Sequence, residues 1–263
     1  MMWLAVRLLR PYLAAAALVT AAATAYVLHA AATVQHQLDA RGLPHCVNPN
    51  LCWPTGAAMD AILGLQLVAA FVPLRIGLIL GVPLFARERE EDTAAFVLTQ
   101  SVSRRRWVLT KLGCAMTAGA LCTAVLATVF RLVAARYVIL ANDLYELLEM
   151  LHQKHAGFMV AQTVLVTAVA GVLGLATGRT VRTLALSALC WPGGLIVAYA
   201  GAALIPVTPG GDAGAALSPD DDRYWTADIS LADGFAAAAS AVLLVLAVLL
   251  VLLARRVARH ARI

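Results

Sequence analysis

The chain has 263 residues, of which 62% are hydrophobic and only 13% charged. A soluble globule is roughly half apolar and about a quarter charged, so this composition excludes an ordinary soluble fold and describes an integral membrane protein. The formal net charge of +5 does not point to nucleic acid, because the basic residues gather at the ends of apolar runs, where they orient helices in a bilayer.

Six apolar segments follow one another, at about 12–34, 59–85, 108–134, 156–178, 183–206 and 235–254. Each is near or above the ~20 residues a helix needs to cross a membrane. No polar stretch between them is long enough to build a core of its own. The expected fold class is therefore all-α, with six transmembrane helices in one transmembrane domain over residues 1–263.

Most of the 20 Lys and Arg fall on one side of this layout. Arg7 and Arg10 precede the first span, a basic loop follows the second, Arg179 and Arg182 separate the fourth and fifth, and Arg255, Arg256, Arg259 and Arg262 follow the sixth. The other loops hold the acids Asp39, Asp143, Glu146, Glu149, Asp212, Asp220, Asp221, Asp222 and Asp228. The positive-inside rule puts both termini and the basic loops in the cytoplasm, in a multi-pass protein of the cell membrane.

Within Met1–Arg10, Trp3, Leu4, Leu8 and Leu9 alternate with Arg7 and Arg10. The pattern predicts a short helix lying in the inner membrane interface, with Pro11 marking entry to the span. A basic anchor that only sets orientation is the alternative. The apolar run that follows is longer than a signal-peptide core of up to about 15 residues, which argues against cleavage.

Cys46 and Cys52 sit in the first outer loop among Pro44, Pro49 and Pro54. An oxidising exterior makes them a candidate disulfide. His45 stands beside Cys46, but two cysteines and a histidine fall short of a zinc ligand set, and no metal site is expected. Cys114, Cys122 and Cys190 lie in spans and read as small packing residues.

Arg75 follows Pro73 inside the second span. A charge at the bilayer centre costs at least ~2.5 kcal/mol on insertion scales, so it should face protein or water. It is a candidate for lining a translocation path, or for pairing with Asp60 or Asp233; the alternative is a snorkelling side chain. In the fifth span, Pro192–Gly194 predicts a break, read as a packing kink.

The loop between the second and third spans, residues 86–107, carries the densest charge. Arg87, Arg89, Arg104, Arg105, Arg106 and, just beyond it, Lys111 accompany Glu88, Glu90, Glu91 and Asp92. Glu88, Glu91 and Asp92 share one side of a helix by the three- and four-residue rule. Ser103 is placed to cap a new helix starting at Arg104, with Trp107 at the membrane interface. A short cytoplasmic helix of this kind suits a groove on a cytoplasmic partner. A basic cluster that only anchors the third span at anionic lipid is the alternative.

From Gly81 the chain reads G-V-P-L-F-A-R-E-R-E-E-D-T, then L-T-Q-S-V-S-R-R-R-W and Lys111. This resembles the permease subunits of type-2 ABC exporters, especially the actinobacterial group. The matching positions are Gly81, Pro83, Leu84, Ala86, Arg87, Glu88, Thr93, Thr99, Gln100, Ser101, Val102, Arg104, Arg105, Arg106, Trp107 and Lys111. Asp92 stands where that family usually has Gly. Pro219, Arg223, Tyr224 and Trp225 form a weaker echo before the last span.

The resemblance implies that residues 86–107 are a coupling loop that docks on an ATP-binding subunit. Glu88, Glu90, Glu91 and Asp92 would lie in its helix, Arg87 at its start and Arg104, Arg105 and Arg106 as flanking contacts. The chain lacks the G-x-x-x-x-G-K-[ST] phosphate loop. ATP and Mg²⁺ would therefore be bound by a separate ATPase subunit, and this chain carries neither a cofactor nor catalytic residues of its own. A second permease chain, identical or not, completes the expected unit. Its function would be export of a drug, peptide or lipid-like cargo, the kind of bacterial pump that serves multidrug or antibiotic resistance.

Two other classes compete. A stand-alone secondary transporter or channel often shows repeated halves and paired acids within spans, and neither is evident. An intramembrane enzyme would need a nucleophile or paired acids with histidine inside the spans. His29, His36, His45, His152 and His155 stand at or near the outer boundary and His260 in the tail.

Overall fold

The computed structural model describes residues 2–40, 56–90, 103–134, 156–204 and 222–260. They form seven α-helices: α1 (Met2–Ala40), α2 (Ala57–Gly81), α3 (Ala86–Glu90), α4 (Arg104–Ala134), α5 (Ala156–Thr177), α6 (Thr180–Ala203) and α7 (Asp222–His260), with one 3-10 turn at Val82–Leu84. Among the described residues there is no strand. Six helices are long and apolar enough to cross a membrane, as the composition required. Cys46, Cys52, Glu91 and Asp92 lie outside the described residues.

Two expectations change. The N-terminal interfacial helix is not a separate element, because α1 runs unbroken from Met2 through Pro11 to Ala40. Proline removes one N–H and leaves a single carbonyl unpaired, and near a membrane surface water can satisfy it. Pro192–Gly194 likewise does not interrupt α6, which stays helical from Thr180 to Ala203.

The bundle is organised around α5, which packs on α2 and α4 with one side and on α6 and α7 with the other. Its sequence explains this. Ala161, Thr163, Thr167, Ala168, Ala170, Gly171 and Gly174 are all buried, and such small side chains let neighbouring backbones come close. Against this face α2 brings Gly77 and Gly81, a G-x-x-x-G pair. A methyl group added at Gly81 would stand 2.7 Å from the Ala170 Cβ and 2.9 Å from the Thr167 carbonyl oxygen; at Gly77 it would stand 2.8 Å from the Val166 Cβ.

Polar links brace α2 where Pro73 interrupts its hydrogen-bond ladder. The Gln162 amide donates to the Ala70 carbonyl at 3.2 Å, and the Thr163 hydroxyl lies 3.2 Å from the Pro73 carbonyl. Thr123 of α4 meets that same Thr163 hydroxyl at 2.8 Å.

One apolar cluster joins α1, α2 and α4 through residues such as Val27, Leu80, Leu112 and Phe130. A second joins α5, α6 and α7 through Phe158, Ala198 and Leu243. The helices are unequally buried: 67% of the α5 apolar window is covered, but only 11% of that of α6.

Candidate functional site

At Val82–Leu84 the chain leaves α2 through a 3-10 turn in which Pro83 cannot continue an α-helical ladder. Leu84, Phe85 and Ala86 are buried, which plants the next residues against the bundle end. The single turn of α3 then offers four consecutive charged side chains, Arg87, Glu88, Arg89 and Glu90. Each reaches a different helix.

The Arg87 guanidinium donates to the Tyr12 hydroxyl of α1 at 2.7 Å. Glu88 accepts from the Lys111 ammonium of α4 in an ion pair, with the Lys111 side chain 6% exposed and that of Glu88 16%. Lys111 also lies over the Trp107 ring, 4.7 Å from its centroid, and Phe85 meets the same ring edge-on at 5.2 Å. Trp107 is therefore a buried packing residue.

Arg89 donates to the Leu175 carbonyl near the end of α5. Glu90 accepts from the Thr180 backbone N–H at 3.2 Å and from the Thr180 hydroxyl at 2.5 Å, at the first residue of α6. These last two contacts match the electrostatics of helix ends. Unpaired carbonyls and partial negative charge at a helix C-terminus favour a cation, and unpaired N–H groups at an N-terminus favour an anion. Arg89 and Glu90 straddle the α5–α6 turn in that order.

The turn itself is held by Gly178, at φ +61°, whose N–H donates to the Gly174 carbonyl at 3.1 Å. This is the left-handed glycine cap of a helix C-terminus. Space is also tight here, since an added methyl would come 3.0 Å from the Arg89 Nε. Four residues earlier, Gly174 brings α5 against the start of α3, so that its missing methyl would lie 3.3 Å from the Ala86 nitrogen.

Of the other expected site residues, Arg105 is half-buried and Arg106 exposed in the first turn of α4. That helix starts at Arg104, directly after Ser103. The side chain of Arg104 lies outside the described residues. Arg75 is not brought into this cluster. It is exposed on α2, continuing a stripe of exposed Leu63, Leu67 and Phe71 at four-residue spacing. Asp60 is no partner for it, being about four helical turns and roughly 22 Å of rise away. Beside this stripe Phe71 meets Trp191 of α6, ring centroids 5.7 Å apart.

Sequence reasoning attached no role to Lys111 beyond the motif and overlooked Gly178 altogether. Both left a signal. A lysine two turns into an apolar helix requires a partner, and a glycine directly after an apolar helical run marks a C-terminal cap.

Among the described residues, five apolar helices around a sixth that is rich in small residues, with a charged segment fastened across one end, make a multi-pass α-helical membrane architecture. Residues 16–201 match the family model described as ABC-2 membrane transporter related, and the chain belongs to that family. It is thus of the membrane-component class of type-2 ABC transporters. Neither the comparison with curated proteins nor that with solved structures returned a match.

Proposed function

We propose that this chain is the permease subunit of an ATP-driven exporter of the cytoplasmic membrane, working with a separate ATP-binding subunit that holds ATP and Mg²⁺. The observation that carries this reading is the segment Arg87–Glu90, whose four side chains reach α1, α4, α5 and α6. A push on such a segment is felt by four spans at once, which is what a subunit without its own ATPase needs. Glu91, Asp92, Arg104, Arg105 and Arg106 continue or flank the docking surface in this reading.

Two permease chains would form the working unit. The thinly covered α6 and the exposed stripe of α2 fit a role at or beside the contact between them. Arg75, at the end of that stripe, faces neither a partner on its own helix nor the packed core, which suits a water-lined path for a cargo with an anionic group. An Arg75→Ala variant that still inserts and assembles is expected to lose export; undiminished transport of every cargo removes Arg75 from the path.

Co-purification tests the central claim. Expressed with its neighbouring genes and extracted in mild detergent, the chain is expected to bring down an ATP-binding subunit. Recovery of the chain with no ATPase favours a stand-alone transporter or channel instead.

A further inference from the structure

We propose that Glu90 is the residue through which the segment after the second span repositions the fifth span, α6. The inference rests on the permease reading and adds to it one moving part and the contact that moves it.

Three observations converge. First, α6 begins without a cap of its own: Arg179, at its N-cap position, makes no side-chain hydrogen bond to the helix. Its first residue is held instead by Glu90, which lies 90 positions earlier, through both carboxylate oxygens. A side-chain acceptor at an N-terminus stabilises a helix, and here that stabilisation depends on where α3 stands.

Second, α6 is the least covered of the described spans. Only 11% of its apolar window is covered, and Val181, Leu184, Leu189 and Ile196 are exposed. By contrast α2 is braced to α5 through Gly77, Gly81, Gln162 and Thr163. Displacing α2 or α5 breaks close backbone packing, whereas α6 meets the bundle over a narrower face that includes Ala198, Gly201 and Ala202.

Third, the joint is short and defined. Gly178 holds a left-handed backbone, so the chain turns between α5 and α6 at a residue that tolerates large dihedral change. Arg89 holds the α5 side of that joint and Glu90 the α6 side. Adjacent side chains of one turn therefore contact both sides of the joint, which the Thr177 and Thr183 hydroxyls also bridge at 2.8 Å, and in this proposal rotation of that turn changes the angle between the two helices.

The native Cys190, exposed on α6, reports the motion. The test uses the full complex of this chain with its ATPase subunit in liposomes, with Cys46, Cys52, Cys114 and Cys122 replaced by alanine and Cys190 labelled with bimane before reconstitution. Addition of ATP and vanadate is expected to shift bimane emission in the otherwise native chain. In Glu90→Ala the shift should fall about five-fold or more, the lower end of typical coupling between sites.

Glu90→Gln should retain most of the shift, because its amide still accepts from the Thr180 N–H and can donate to the Thr180 hydroxyl. Thr180→Val, which keeps only the backbone bond, should fall between, and it carries the comparison if Glu90→Ala does not assemble. An unchanged shift in Glu90→Ala or, where that variant does not assemble, in Thr180→Val overturns the proposal. So does the lack of any shift in the native chain, or equal loss in Glu90→Gln and Glu90→Ala. Each of these leaves the permease reading standing, whereas failure to recover an ATPase with the native chain overturns that reading itself.

Discussion

The pair Glu88–Lys111 is the most buried ionic contact described in the chain. It is costly to break because the Lys111 ammonium is buried and draws its counter-charge from Glu88. In proteins, losing one partner of a buried pair costs about 3–5 kcal/mol, whereas replacing both by apolar or neutral groups of similar size is often nearly neutral. Lys111→Ala should therefore lower the melting temperature of the detergent-solubilised protein clearly. The double variant Glu88→Gln with Lys111→Met should recover much of the loss. A thermal double-mutant cycle checks this, and additive losses in the cycle would show that the two side chains do not act as a pair. Charge balance along the loop was evident from the residue types. Which acid meets which base was not, because Glu88 and Lys111 are separated by the whole loop and by the start of α4.

Helix contacts depend on where side chains are absent as much as on where they are present. Gly81 and Gly113 are both glycines in membrane-spanning helices, yet an added methyl at Gly113 meets nothing within 4 Å, while at Gly81 it strikes α5 backbone and Ala170. Overpacking of this kind typically costs about 1–3 kcal/mol. Gly81→Ala is thus expected to reduce the fraction of monodisperse protein surviving a heat challenge, read by fluorescence-detected gel filtration, and Gly113→Ala to leave it unchanged or improved. Equal behaviour of the two variants would remove the α2–α5 seam from the account. Helix number and approximate limits were legible from apolar run length, because bilayer thickness sets that length. Helix continuity through Pro11 and Pro192 was not, since a proline cancels one hydrogen bond and the surroundings decide whether the helix yields.

For the whole molecule, the ends of α2, α4, α5 and α6 that meet α3 share one end of the bundle with the start of α1. That is the end where Arg87, Arg89, Arg105, Arg106, Arg179 and Arg182 gather. The positive-inside rule predicts that this end faces the cytoplasm. Reporter fusions check it: green fluorescent protein joined after Ile263 should fluoresce, and alkaline phosphatase at the same place should be inactive. The opposite result would invert the protein and place the Arg87–Glu90 segment out of reach of any ATPase.

Composition and run length alone determined that this protein is a six-span membrane protein. In a solvent that cannot satisfy backbone hydrogen bonds, long apolar segments have few alternatives to the helix. Charge distribution predicted its orientation, and the Gly81–Lys111 pattern directed attention to the loop after the second span. Tertiary structure alone decided that α5 is the central helix and α6 the exposed one. It also decided that four successive charges, Arg87 to Glu90, divide among four helices rather than facing one partner. These are matters of which surfaces come within a hydrogen bond of each other. That depends on how small residues such as Gly77, Gly81, Gly174 and Gly178 let backbones approach, a property of pairs of helices that no single stretch of sequence contains.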